Sequence, residues 1–268
     1  MSDTIRSLLR EIIDPLPQDV VVSTSAGIDS GSILLSALDV GKNVSVMSFT
    51  LDDRESKDFV SARRIAESFD LPFIPVRIPT DTEIVCDIVK RIVVELRTSK
   101  KTTIECLVPF FVALPLLKQQ GHKTLITGSA ADGHFGLSKK AMIHFRQPQP
   151  IFQSFRHSYF AKNDPAQTKS LPYIAKQYGI STYAPYTDRR IFNLWTDASW
   201  DDLNQPRQKE VVRREFPELD KLCLSRHVNL QLGDSGIAKV VGEIVRKEFT
   251  PQAKSPVSAY NELLRRTK

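Results

Sequence analysis

The chain has 268 residues, 41% of them hydrophobic and 25% charged, and 37 basic side chains against 31 acidic ones give a formal charge of +6. That is chain enough for one large domain or two small ones, in an ordinary globular balance. No run approaches the ~20 uninterrupted apolar residues of a membrane span, and Cys86, Cys106 and Cys223 lie too far apart for a disulfide framework or a CxxC zinc site, so a cytoplasmic setting is expected. The positive charge suits an anionic partner, ATP or a nucleic acid, without choosing between them.

The predicted elements begin with an amphipathic helix. Ile5, Leu8, Leu9, Ile12 and Ile13 share one face and Pro15 ends it. This N-terminus carries acids and lacks the apolar core of a secretory signal. Strands are expected at 19–24, 43–50, 71–78 and 123–128, where β-branched residues cluster. Helical spacing fills the intervals at 30–40, 54–69, 82–97 and 104–121, the last interrupted at Pro109 and Pro115. Strands alternating with helices predict an α/β fold, a doubly wound parallel sheet whose carboxyl edge binds the ligand. Residues 145–170 are aromatic, basic and turn-rich, and read as a loop or a lid over the site. From Leu171 onward the pattern is mainly helical, at 171–179, 188–196, 205–216, 235–249 and 255–267. Ser255-Pro256 forms an N-cap and first turn for the last of these. The expected division is a nucleotide-binding core over 1–145 and a helical C-terminal part over 146–268 that completes the substrate site, or one single domain.

The stretch Ser23-Thr24-Ser25-Ala26-Gly27-Ile28-Asp29-Ser30 ends the first strand with small residues and leads straight into a helix. The hydroxyls of Ser23, Ser25 and Ser30, the turn amides and the positive end of the helix converge there, which suits a phosphate. A merely capped turn fits the same letters. Asp29 belongs beside phosphates only if it holds a cation, and Mg²⁺ accompanies a triphosphate. No Lys follows the Gly, so this is not a GxxxxGK[ST] loop.

Ser25-Ala-Gly-Ile-Asp-Ser30 is similar to the S-G-G-x-D-S motif of PP-loop ATP pyrophosphatases, which split ATP into AMP and pyrophosphate. Three further stretches resemble the asparagine synthetase-like branch, in its order. "LITGSAADGHFG" (125–136) is similar to T-G-E-G-A-D-E-L-F-G-G, matching at Gly128, Ala131, Asp132, Phe135 and Gly136. "YAPYTDRRI" (183–191) resembles P-[FY]-x-D-x-R, and "KEVVRREFPE" (209–218) resembles K-x-x-[LV]-R. The resemblance spans roughly residues 18–235. It implies a Rossmann-like, adenine nucleotide alpha-hydrolase-like fold with ATP and Mg²⁺. Asp29 and Asp132 would hold the metal on the leaving pyrophosphate, and the amides from Ala26 through Gly27, Ile28 and Asp29 to Ser30 would bind that pyrophosphate. Main-chain groups near Met47 and Ser48 would meet the adenine, with Gly128 also at the nucleotide.

The departures are as specific. Ser129, Ala130 and Gly133 replace Glu, Gly and Glu of the motif, and Ala26 replaces its first Gly. Val228 falls where a pyrophosphate-contacting Lys is expected, leaving Lys209, Arg213 or Arg226 to supply that charge, with Lys209 the candidate catalytic lysine. The chain begins Met1-Ser2-Asp3, without the N-terminal Cys nucleophile of a glutaminase domain. Free ammonia, another amine or a separate glutaminase partner is therefore expected to serve a small-molecule carboxylate. His134 is expected in an exposed loop or against substrate. Asp188 and Arg189 read as a helix start or a pocket wall. The basic residues of 97–101, Arg146, Arg156, His157 and Lys162 read as solvated surface or a nucleic-acid contact. Three functions compete: an AMP-forming amide ligase, a PP-loop enzyme modifying a nucleobase, and a degenerate nucleotide-binding protein.

Overall fold

The computed structural model describes residues 4–137, 148–222 and 235–266. Five parallel strands form its sheet: β1 (Asp19–Ser23), β2 (Asn43–Leu51), β3 (Phe73–Ile78), β4 (Thr124–Thr127) and β5 (Ser181–Tyr183), in the order β3-β2-β1-β4-β5. The chain winds outward from β1 through β2 to β3, then returns to the other side of β1 as β4. The order reverses between β1 and β4, where open α/β sheets leave a crevice for ligands.

Val20, Val21 and Val22 in β1 are buried on both faces, as expected of a central parallel strand with β-branched residues throughout. Alternate strand residues feed two cores. Val21, Met47, Phe49 and Leu125 pack under α4 (Thr82–Leu96), α5 (Lys101–Gln119), α8 (Ser170–Lys176), α12 (Ile237–Phe249) and α13 (Pro256–Arg266). On the opposite face, Val20, Val22 and Ile126 meet α1 (Ile5–Ile13), α2 (Ile28–Asp39), α6 (Ala131–Phe135) and α7 (Gln149–Phe160). With them lie α9 (Arg189–Asn193), α10 (Trp200–Asn204) and α11 (Glu210–Glu215). Residues beyond 145 thus supply a strand of the sheet and helices to both faces. The helix α3 (Lys57–Ser68) follows β2 and is capped by Ser56, which accepts from the Phe59 amide, while Asp81 caps α4 through the Ile84 amide.

Several elements differ from expectation. Pro109 and Pro115 do not break α5, which runs unbroken over both. It is the one helix among the described residues long and apolar enough to cross a membrane. Here Leu107, Val108, Phe111, Leu114 and Leu117 bury it against the sheet, which holds it despite two missing amides. Residues 149–160 are a helix rather than a loop, with Phe152, Gln153 and Arg156 buried. Arg156 is therefore not a surface contact for nucleic acid. Its Nη2 donates to the Phe192 carbonyl at 2.8 Å and its Nη1 to Gln153 Oε1 at 2.7 Å and to the Trp195 carbonyl, satisfying the carboxyl end of α9. The expected helix at 205–216 shrinks to α11, because Lys209 before it takes a left-handed conformation. Val228, Arg226, His227, His144, Arg146 and Cys223 lie outside the described residues.

Candidate active site

The end of β1 is held by the Thr24 amide, which donates to the Met47 carbonyl at 2.8 Å. The loop then turns through Ala26, whose φ of +52° is left-handed, and enters α2 with Gly27 as N-cap. A glycine takes that φ at no steric cost, which accounts for the motif's glycine at this position. Ser30 Oγ accepts from the Ser25 amide and donates to the Gly27 carbonyl, both at 3.2 Å, so its hydroxyl braces the loop. No side chain caps α2, so its first-turn amides remain for an anion at the positive end of a twelve-residue helix.

The end of β4 is built in parallel. Gly128 lies against α2, where a Cβ would come within 3.1 Å of Asp29 Cβ and 3.2 Å of the Ser30 nitrogen. Ala130 caps α6 at φ +72°, again in the left-handed region and again at a glycine of the resembled motif. The two strand ends therefore bring Asp29 and Asp132 together.

Lys209 joins them from underneath. Its Nζ lies 2.5 Å from Asp29 Oδ2 and 2.8 Å from Asp132 Oδ1, with 1% of its side chain exposed. Burial alone would push the ammonium down, but the charges and hydrogen bonds of Asp132 and Asp29 outweigh it and hold the group above the ordinary lysine value. The lysine stays charged and leaves the trio with one net negative charge. Its backbone is fixed by Asn204, whose Oδ1 accepts from the Lys209 amide at 3.1 Å while Nδ2 donates to the Phe135 and Trp200 carbonyls. The Lys209 ammonium also sits 5.5 Å from the centre of the Phe135 ring.

Above the trio opens a cavity of about 610 Å³. Of the residues picked out from the sequence, Ser23, Ser25, Gly27, Asp29, Ser30, Ser48, Gly128 and Asp132 line it. Ala26 and Ile28 instead point into the core beneath the loop. Met47 is fully buried and its carbonyl is taken by Thr24, whereas its neighbour Ser48 reaches the cavity. Sequence reasoning missed Phe49 and Phe110, which meet edge to face at 5.1 Å, and Cys106, Tyr159 and Gln167 on other walls, while Lys100 and Lys162, read as surface or nucleic-acid contacts, line this cavity. Burial pushes the Cys106 thiol up to about 12, so it is no nucleophile at neutral pH. A smaller cavity of about 280 Å³ adjoins through Thr127, Ser129, Gln167 and Leu171, and Asp188 lines it while also capping α9 through the Arg190 amide.

His134 is neither exposed nor at the substrate. It is fully buried among Phe160, Trp195 and Phe192, and its Nε2 lies 2.7 Å from the Tyr186 carbonyl, so that nitrogen carries the proton. Burial pushes it down to about 3 and keeps it neutral. Tyr186 also places its hydroxyl 2.8 Å from Ser32 Oγ of α2. The "YAPYTDRRI" stretch thus ties together the two helices that carry Asp29 and Asp132.

No curated protein matches the sequence. Among solved structures the chain is similar to a U34-tRNA thiolase, NcsA, from Methanococcus maripaludis with its [4Fe-4S] cluster. The identity is 13%, the TM-score 0.45, and the match covers 97% of this chain and 78% of that one. An NMN synthetase from Francisella tularensis aligns at 15% identity and TM-score 0.36, covering 85% of this chain and all of that one. Both are too distant to carry an argument about chemistry. The asparagine synthase family matches residues 4–221, most of the length and all of the site just described, and the chain belongs to that family.

Proposed function

We propose that the protein is an ATP-dependent ligase that adenylates a small-molecule carboxylate, releases pyrophosphate, and passes the activated acyl group to ammonia or another amine. The observation that carries this reading is the convergence of Asp29, Asp132 and Lys209 at the carboxyl ends of β1 and β4, over a cavity entered by the uncapped start of α2. Phosphates would lie against the α2 amides, Ser23 and Ser25, and the nucleobase toward Ser48, Phe49 and Phe110.

The donor set suits Mg²⁺. Two carboxylates from adjacent strand ends meet at the Lys209 ammonium, and among the described residues no third His, Cys, Asp or Glu joins them. A magnesium ion takes its remaining ligands from phosphates and water, which is its habit at nucleotide sites. Asp29 and Asp132 would hold it, and when bound it neutralises charge on the departing pyrophosphate. Lys209 holds both carboxylates in place and offsets their repulsion. The α2 amides then stabilise negative charge where it accumulates as the α-phosphate is attacked.

End-point analysis of ATP with Mg²⁺ and a panel of carboxylates and amines tests this. Substrate-dependent AMP and pyrophosphate are expected, with both lost in Asp29→Ala and Asp132→Ala. ADP formation would refute it, and ATP binding without turnover would favour a nucleotide-binding protein. Stimulation by RNA or DNA alone would favour a nucleobase-modifying enzyme, and stimulation by glutamine only with a second protein would identify a glutaminase partner.

A further inference from the structure

Tyr159, near the end of α7, lines the main cavity with its ring laid on the turn that carries Asp132. A Cβ at Gly133 would fall 2.2 Å from Tyr159 Cδ1 and 2.3 Å from Cε1, so the ring occupies the space that any side chain at 133 would need. Phe160 packs edge-on at 5.2 Å, and the Lys162 ammonium stands 4.6 Å from the ring centre, fixing the phenol from two more sides. Tyr159 shares the cavity wall with Asp29, Asp132 and Cys106, and burial together with the nearby charge of Asp132 pushes its phenol up and keeps the proton on it.

A wall that already carries two carboxylates can receive a phosphate chain only through cations and neutral donors. An acidic side chain at 133, as in the resembled motif, would add a third negative charge. Glycine there removes that charge and makes room for a phenol, which donates without adding any. We propose that Tyr159, seated on Gly133, is a nucleotide-contacting residue whose O–H donates to the phosphate chain of ATP. This rests on the ATP-dependent reading above and adds to it a contact from a helix outside all four motif stretches.

The test is titration calorimetry of the full chain with α,β-methylene-ATP and Mg²⁺, and separately with adenosine. Tyr159→Phe keeps the ring on Gly133 and removes only the hydroxyl. It is expected to weaken the analogue about tenfold, the lower end of a hydrogen bond to a charged group, with adenosine binding unchanged. Gly133→Ala drives a Cβ into the ring and is expected to weaken the analogue at least as much, again sparing adenosine. Tyr159→Phe binding the analogue as tightly as the wild type would overturn the proposal and leave the ATP reading standing. So would a loss confined to turnover, which would move the hydroxyl to the acceptor substrate. A wild-type chain that binds neither ligand would overturn both.

Discussion

Replacing Lys209 with Met tests the electrostatic arrangement of the site directly. Methionine keeps an unbranched stem of similar length and removes the ammonium, with its charge and its hydrogen bonds. Because Asp29 Oδ2 and Asp132 Oδ1 share hydrogen bonds of 2.5 and 2.8 Å to one nitrogen, they lie within about 5 Å of each other. At an effective dielectric of ~20 two bare carboxylates at that distance repel by about 3 kcal/mol. Their side chains are 17% and 29% exposed, so water lowers that to about 2 kcal/mol. Loss of the lysine's own hydrogen bonds to charged partners adds about 1 kcal/mol. The expected destabilisation is therefore about 3 kcal/mol at pH 7, or a fall of roughly 6–10 °C in Tm for a chain of this size.

Two signatures separate this from ordinary loss of packing. The deficit should shrink as pH falls from 7 toward 5, since protonating either carboxyl relieves the repulsion. Millimolar Mg²⁺ without nucleotide should raise the Tm of the variant more than that of the wild type, because a cation restores what the lysine supplied. Thermal unfolding at pH 5, 6 and 7, with and without Mg²⁺, measures both. An unchanged Tm, or a deficit indifferent to pH and Mg²⁺, would show that the lysine does not balance the pair.

Ala26 and Ala130 pay the left-handed penalty that glycine avoids, so Ala26→Gly and Ala130→Gly should each gain about 0.5–1 kcal/mol in urea denaturation. A loss at either position would mean that the methyl's packing outweighs its strain. Gly128→Ala would press a methyl against Asp29 and Ser30 at the start of α2; a loss of about 1–3 kcal/mol and at least tenfold weaker ATP binding are expected, checked by unfolding and calorimetry. His134 is held down at about 3 in the fold, while the unfolded chain takes up a proton near the ordinary value of 6.5. Stability should therefore fall as pH drops below ~6.5, by about 1.4 kcal/mol per pH unit from this group alone. His134→Gln should lose that slope between pH 6 and 5, and a variant with the wild-type slope would show that His134 is protonated in the fold.

What was legible in the sequence followed local chemistry. Val20–Val22 announce a central strand whatever surrounds them, and small residues before a helix announce a turn at the sheet edge. What is not legible depends on partners far along the chain. Side chains alternate along a strand, so only the fold decides that Ser48 lines the cavity while the Met47 side chain is buried in the core. The segment 149–160 looked like a loop because its buried face includes Gln153 and Arg156. Those side chains are buried to satisfy the carbonyls of Phe192, Trp195 and Ala198, some forty residues on. The stretch 209–218 singles out Lys209 as a candidate, but only the fold shows its ammonium sitting between carboxylates 180 and 77 positions away.

The two alanines bear most on function. As letters, Ala26 and Ala130 mark departures from glycine and suggest a decayed phosphate loop. As backbone, they hold φ of +52° and +72°, the conformation the glycines would supply. A loop losing its purpose would be free to relax to a conformation alanine prefers, escaping a cost of about 1–2 kcal/mol at each position. Gly128, packed against Asp29, and Lys209, bonded to both carboxylates, over-determine these turns and hold the alanines where they are. Left-handed residues also stand at Asp70 and Arg97, away from the cavity, so the backbone alone marks no site. The strain kept at two strand ends that meet over one cavity is what the proposed nucleotide site requires, and it weighs against the degenerate reading.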